Sequence, residues 1–360
     1  MGEIKTVNFV LPRPTAKIVG GFKVVYDYAN YLVDNGWNVI VTHDCEEIGT
    51  RFNLHIPFIK NAVGRYLKHK EKWVRLDERI KIHYISTIEQ LSAVDTDIVM
   101  ATAVNTVNMV WMSYKNKAVK KAYFIQGHEN WDISDISVNS TYRLPMAKIT
   151  ISKWLYHIVA QVNGTKDLYL CRNGLDLDKL RVMSPIEERK NDSICFMYHE
   201  DFRKGVDSIR HILPQLREKY PELKVSAFGA FEKPEWLDDS VDYVAYANAD
   251  DLVSLYNQSA IFLCSSLEEG FGLTGAESMA CGCTLLTTKT NGSREYCDAS
   301  NSILIEPNDK EALFEKACYL IDNPEVRIRL AQKGNKDIQN LSITNARKQF
   351  SSILNEILEG

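Results

Sequence analysis

Ser265-Ser266-Leu267-Glu268-Glu269-Gly270-Phe271-Gly272-Leu273-Thr274-Gly275-Ala276-Glu277-Ser278-Met279-Ala280-Cys281-Gly282 follows an apolar run, Ala260 to Cys264, that reads as a strand. The strand runs into a turn broken by glycines at 270, 272 and 275, and a helix then opens and carries Glu277. Glycine lets backbone approach a ligand and adopt dihedrals closed to other residues, while the N–H groups at a helix start attract phosphate oxygens. Glu269 and Glu277 stand on either side of that turn and, when ionised, only accept hydrogen bonds. The layout suits a phosphate flanked by hydroxyl-rich groups, as in a nucleotide-sugar. It also predicts a strand–turn–helix unit of a doubly wound α/β sheet.

The chain is long enough for more than one such sheet. At 360 residues it exceeds the ~250–300 residues at which a single core stops growing, so two domains are expected. Hydrophobic residues at 45% and charged residues at 25% exclude extensive disorder. The formal charge of -4 gives no global reason to expect nucleic acid as a partner. Eight cysteines are scattered, several inside apolar runs, and Cys281-Gly282-Cys283 has no second cluster at zinc-finger spacing, so reduced thiols and no metal site are expected. Met1 to Thr6 carries no apolar signal core, and no run of ~18 apolar residues occurs. A cytoplasmic location is the expectation, and the sequons at Asn139 and Asn163 would then go unused.

Strand-like and helix-like segments alternate from Thr6–Leu11 onward, the pattern of parallel sheets with helices on both faces. A first series runs through Trp37–Thr42, Ile80–Ile85, Asp97–Ala101, Lys121–Gln126 and Ala147–Ile151, with a helix from Phe22 to Asn35 behind Gly20-Gly21. A second follows the polar segment Ser184–Asp192: Ile194–Tyr198, Lys224–Phe228, Asp242–Tyr246, Ala260–Cys264, Thr284–Thr287 and Ser302–Ile305. The expected fold class is therefore α/β, with two Rossmann-like doubly wound domains, 1–183 and 184–344, facing an interdomain cleft. A last helix in 345–360 is expected to brace the assembly by packing back on the first domain. Ligands of such sheets bind at the carboxyl ends of strands.

The segment at 265–282, with Asn173-Gly174-Leu175-Asp176, Phe202-Arg203-Lys204-Gly205-Val206-Asp207 and Asp250-Asp251-Leu252-Val253-Ser254-Leu255-Tyr256, resembles the retaining, metal-independent GT-B glycosyltransferases. These are family 4, glycosyl transferases group 1, related to glycogen synthase, bacterial mannosyltransferases and sucrose synthase. The likeness covers most of the C-terminal half; in the N-terminal half it rests on Gly20-Gly21 and His128. It implies a nucleotide-sugar-binding second domain and an acceptor-binding first domain. It also implies that Glu277 meets the ribose, Glu269 the donor sugar, and the amides of Phe271, Gly272 and Leu273, with Thr274 at the helix start, the sugar and phosphate oxygens. Lys204 matches the family's phosphate-binding lysine, His128 the histidine that reaches the donor sugar, and Gly21 the loop at the leaving diphosphate. The family's arginine five residues before that lysine is absent, since His199 stands there; Arg203 and His199 are the candidate replacements.

Elementary chemistry asks for the same parts. Breaking a glycosyl–phosphate bond builds negative charge on a nucleoside diphosphate, which cations and amide dipoles must stabilise. Carboxylates favour the oxocarbenium-like centre left on the sugar. The resemblance implies catalytic roles for Glu269, His128 and Lys204, and donor binding for Gly21, Arg203, Lys204, Phe271, Gly272, Leu273, Thr274 and Glu277, with no cofactor beyond the donor substrate. Taken singly, each residue has a plainer reading: Glu277 as an exposed helix residue, Lys204 and Arg203 as a solvated charge cluster with Asp201 and Asp207, His128 as a structural histidine, and Gly20-Gly21 as a tight turn. A nucleotide-sugar epimerase, a glycogen-type phosphorylase and a catalytically silent binding protein would share the architecture. The expected acceptor is a glycan or lipid-linked molecule, and the run from Ala122 to Trp131 faintly resembles rhamnosyltransferases of surface polysaccharides.

Residues 60–81 hold eight lysines and arginines with Tyr66, Leu67, Trp73, Val74 and Leu76 interleaved. Peripheral contact with an anionic membrane and a solvated helix of the first domain are both open readings.

Overall fold

The computed structural model describes the chain apart from residues 1–3, 16–18, 49–55, 70–74 and 132. Contacts divide it into two compact units, residues 1–172 with 345–360, and residues 173–344. The boundary expected at 183/184 falls inside the second unit.

The first unit alternates β1 (Thr6–Leu11), α1 (Gly20–Asp34), β2 (Asn38–Asp44), α2 (Pro57–His69), β3 (Lys81–Ile85), α3 (Ile88–Ser92), β4 (Ile98–Ala101), α4 (Val104–Tyr114), β5 (Lys120–Ile125), α5 (Asp135–Tyr142), β6 (Ala147–Thr150), α6 (Lys153–Asn163) and β7 (Leu168–Leu170). Its seven strands are all parallel, in the order β3-β2-β1-β4-β5-β6-β7. Parallel strands covered on both faces are apolar throughout, and all four residues of β4 are buried. On α1 the apolar residues Phe22, Val25, Tyr26, Ala29, Leu32 and Val33 recur at helical spacing and are buried.

The second unit contains β8 (Ser193–Tyr198), α7 (Val206–Lys219), β9 (Lys224–Gly229), β10 (Asp242–Ala245), α8 (Ala249–Gln258), β11 (Ile261–Cys264), α9 (Leu273–Ala280), β12 (Thr284–Thr288), β13 (Ile303–Ile305), α10 (Lys310–Asp322) and α11 (Pro324–Ile338). Its parallel sheet runs β10-β9-β8-β11-β12-β13. The Asn248 side chain caps α8 by accepting from the Asp250 and Asp251 amides. The buried Arg189 guanidinium donates to the carbonyls of Tyr256, Ser259 and Cys281, tying together the C-terminal ends of α8 and α9.

Helix α12 (Ile343–Glu359) carries the chain back into the first unit's core. The Phe350 ring stacks on Tyr28 at 4.1 Å between centroids and packs on Phe9 and Phe124. Arg347 and Asp27 pair alongside, with Nε 2.9 Å from Oδ2.

In both sheets the strand order reverses direction once, between β1 and β4 and between β8 and β11. At such a switch point the flanking loops diverge and leave a crevice at the carboxyl ends of the strands.

Candidate active site

In the second unit the switch point is formed by the loop after β8 and the turn after β11. The first loop makes a single helical turn over Phe202–Lys204, with the Asp201 side chain accepting from the Arg203 amide. It closes at Gly205, whose φ of 60° is left-handed. A Cβ there would stand 1.9 Å from the Ser265 carbonyl oxygen, so only glycine allows the two loops to cross. The crossing is fastened by the Leu267 amide donating to the Arg203 carbonyl at 2.6 Å and the Ser265 hydroxyl donating to the Gly205 carbonyl at 2.8 Å.

These contacts bring together two residues 65 positions apart: Lys204 Nζ lies 2.8 Å from Glu269 Oε1, which also accepts from the Ser266 hydroxyl at 2.8 Å. Burial alone would lower the Lys204 pKa, but the adjacent Glu269 carboxylate outweighs it and the net shift is upward. Lys204 is therefore a charged ammonium at neutral pH.

The glycine turn beside this pair rests on a second layer. Gly292 lies so close beneath it that a Cβ would meet the Glu269 carbonyl at 2.6 Å and the Phe271 nitrogen at 2.8 Å. The buried Tyr296 hydroxyl donates to the Gly272 carbonyl at 2.5 Å. It also fills the space a Cβ would need at Gly272 or Gly275. Gly272 itself, at φ 84°, is the left-handed residue from which α9 starts at Leu273. Burial raises the Tyr296 pKa well above its ordinary value, so the hydroxyl keeps its proton and donates.

Glu277, one turn into α9, is only 6% exposed, which removes its reading as an exposed helix residue. The Tyr256 hydroxyl donates to its Oε2 at 3.4 Å. Arg203, expected to face the donor, is instead bidentate with its neighbour Asp201, Nε lying 2.9 and 3.0 Å from the two carboxylate oxygens. That pairing holds the Asp201 carboxyl down at about 2. His199 Nδ1 accepts from the Asp201 amide at 2.9 Å and its ring packs edge-on against Phe231. Desolvation and then Lys204 lower its pKa.

In the first unit the switch point joins Gly20-Gly21, which open α1, to the ends of β4 and β5. His128 is the third residue after β5, but both ring nitrogens are engaged: Nδ1 with the Tyr142 hydroxyl at 3.1 Å and Nε2 with Asp135 Oδ1 at 3.0 Å. Burial keeps the Tyr142 phenol protonated, so it donates to Nδ1, and the tautomer assigned from these partners carries its proton on Nε2. Asn130 and His128 together hold Asp135 below the usual carboxylate range. Sequence reading missed Gln126, Tyr296 and Ser266 as site residues. Gln126 had a signal: it is the first polar residue after the buried end of β5.

Comparison with known proteins adds to this geometry. Sucrose-phosphate synthase from Thermosynechococcus elongatus superposes with a TM-score of 0.78 at 13% identity, covering 99% of both chains. Anabaena HepE in complex with UDP and glucose superposes with a TM-score of 0.75 at 14% identity, over 98% of this chain and 100% of that one. Two parallel doubly wound sheets with this order define the GT-B glycosyltransferase fold. Residues 179–337 match the family model described as glycosyl transferases group 1. A curated relative, the capsular polysaccharide biosynthesis glycosyltransferase CapM of Staphylococcus aureus, is 24% identical over 215 residues, covering 53% of this chain and 56% of its own. The chain spans about half the length of the curated relatives it matches.

Proposed function

We propose that the protein is a metal-independent, retaining glycosyltransferase that moves a sugar from a nucleotide-sugar to a glycan or lipid-linked acceptor in cell-surface polysaccharide or glycolipid synthesis. The observation that carries the reading is the Lys204–Glu269 pair beside the Gly270–Leu273 turn, at the β8/β11 switch point and inside the segment matching the family. In the reaction the bond from the anomeric carbon to the diphosphate oxygen breaks and the diphosphate leaves with the electron pair. The acceptor hydroxyl forms the new bond and gives its proton to the departing diphosphate oxygen. Lys204 and the amides of Phe271, Gly272 and Leu273 stabilise the growing diphosphate charge. Glu269, steadied by Ser266, holds the sugar and favours its positive centre, and Glu277 takes the ribose hydroxyls. Retention follows if the acceptor attacks on the face the diphosphate leaves.

The test is nucleoside diphosphate release from a panel of UDP-, GDP- and dTDP-linked sugars, with and without acceptors and with EDTA throughout. Acceptor-dependent release that survives EDTA supports the reading. Tight nucleotide binding without release from any donor supports a silent binding protein instead, and interconversion of the donor sugar an epimerase.

Peripheral membrane contact belongs to the same proposal, on altered grounds. The basic face expected over 60–81 is partly used up, and Lys70 and Lys72 lie outside the described residues. Lys60 is buried and donates to the Glu46 carbonyl, Arg79 pairs with Asp77 and Asp34, and Lys68 lies 4.4 Å from the Tyr26 ring centroid. What favours contact is apolar: Phe58 is 80% exposed and Tyr66 58% on the same helix α2. Among the described residues no helix is long and apolar enough to cross a membrane. Replacing Phe58 and Tyr66 by alanine should abolish sedimentation with anionic liposomes; unchanged sedimentation rules α2 out as the contact.

A further inference from the structure

The loop after β5 is tied down at several points. The Glu129 carboxylate accepts from the Val104 amide at the start of α4 at 2.9 Å, the Asn130 amide donates to the His128 carbonyl at 2.8 Å, and the Asn130 side chain donates to Asp135 at 2.9 Å. His128 is one more tie in this set, with both nitrogens spent on Tyr142 and Asp135. The imidazole therefore meets a substrate only by giving up one of them.

Gln126, two residues earlier, is placed differently. Its carboxamide lies over the glycine that opens α1: a Cβ built on Gly21 would stand 3.2 Å from Nε2 and 3.5 Å from Oε1. Its Nε2 reaches the Thr102 carbonyl at the end of β4 only at 3.4 Å, a long contact that a better acceptor would displace. The side chain thus bridges the ends of β1's following helix, β4 and β5, where the strand order reverses. A carboxamide offers two donors and an acceptor in one plane, which matches a pair of sugar hydroxyls, one accepting and one donating. It carries no charge and moves no proton, so it orients a substrate without taking part in bond breaking.

We propose that Gln126, rather than His128, is the residue through which the first unit's switch point holds a sugar of the substrate, and that His128 is a positioning residue that fixes the Gly127–Asn130 loop. The assignment rests on the transferase reading above. The sugar belongs either to the donor or to the acceptor, and separate KM values for the two distinguish them.

Gln126→Ala, His128→Ala and His128→Gln are compared with the unaltered protein in transfer assays and in fluorescence titrations with nucleotide-sugars and the matching nucleoside diphosphates. Gln126→Ala should lower kcat/KM about tenfold, the scale of one hydrogen bond lost to a substrate, raising KM for the substrate whose sugar it holds. Its melting temperature and its affinity for nucleoside diphosphate should stay unchanged. His128→Ala should lower the melting temperature, and His128→Gln should restore both stability and rate, because a glutamine can replace the ties but no acid or base. A Gln126→Ala enzyme within twofold of the unaltered one, or a His128→Gln enzyme as slow as His128→Ala at full stability, overturns the assignment. If the unaltered protein transfers nothing, the transferase reading fails separately. The titrations then decide: the assignment stands if Gln126→Ala removes the affinity added by the sugar over the nucleoside diphosphate, and falls if that difference persists or never existed.

Discussion

The two units share a topology and differ in what it displays. At the β8/β11 switch point an ammonium, a carboxylate and a hydroxyl lie within hydrogen-bond contact, and a left-handed glycine starts a helix beside them. The β1/β4 switch point offers a neutral carboxamide over a glycine, and His128 nearby is held by Tyr142 and Asp135 of α5. Strand order fixes where a ligand can sit, whereas the loops decide whether the crevice is charged. An ammonium suits phosphate; a carboxamide suits hydroxyls.

Four substitutions probe this contrast, beginning with the strongest. Phe350→Ala empties a buried aromatic cluster of the first unit and should cost about 3–5 kcal/mol there. Calorimetry should resolve a lowered transition for that unit with the other unmoved; equal lowering of both would mean that the units do not melt independently. Lys204→Ala should reduce kcat by about 10²–10³-fold, the scale of one lost electrostatic stabiliser of the transition state, read by single-turnover release of nucleoside diphosphate. A small loss would shift the charge-stabilising role to the turn amides. Glu277→Ala should weaken nucleotide binding by about 1–3 kcal/mol, measured by calorimetric titration, and unaltered affinity would remove it from the ribose site. Tyr296→Phe deletes a single buried hydrogen bond to Gly272, worth about 1 kcal/mol. Its effect should appear as a raised KM for the nucleotide-sugar and a slightly lower melting temperature, with kcat retained.

Most strands were legible because a parallel strand buried on both faces is a short apolar run between polar turns, as Ile194–Tyr198 and Ala260–Cys264 illustrate. Strand β7 escaped notice because Leu168–Leu170 is too short to show any pattern. Helix α11 escaped because it is mostly polar, with Gly334 in its middle and few buried apolar residues to mark a face. The residue types of the charged crevice could be read from the sequence, but their partners could not. Arg203 is taken by Asp201, two residues away, through an ordinary local turn. The approach of Lys204 to Glu269 depends on which strands neighbour one another and on the glycine crossing at 205. Gln126 was passed over because a glutamine carries no charge and a nearby histidine draws attention first.

The return of α12 makes the first unit discontinuous along the chain, with Phe350, Ile353, Leu354 and Ile357 supplying part of its buried core. During synthesis the residues up to 172 must wait, incompletely covered, while the whole of the second unit is made. The second unit, contiguous from 173 to 344, has all its strands and helices in hand before the first has its last. The core of the first unit therefore cannot close until the whole of the second has been synthesised.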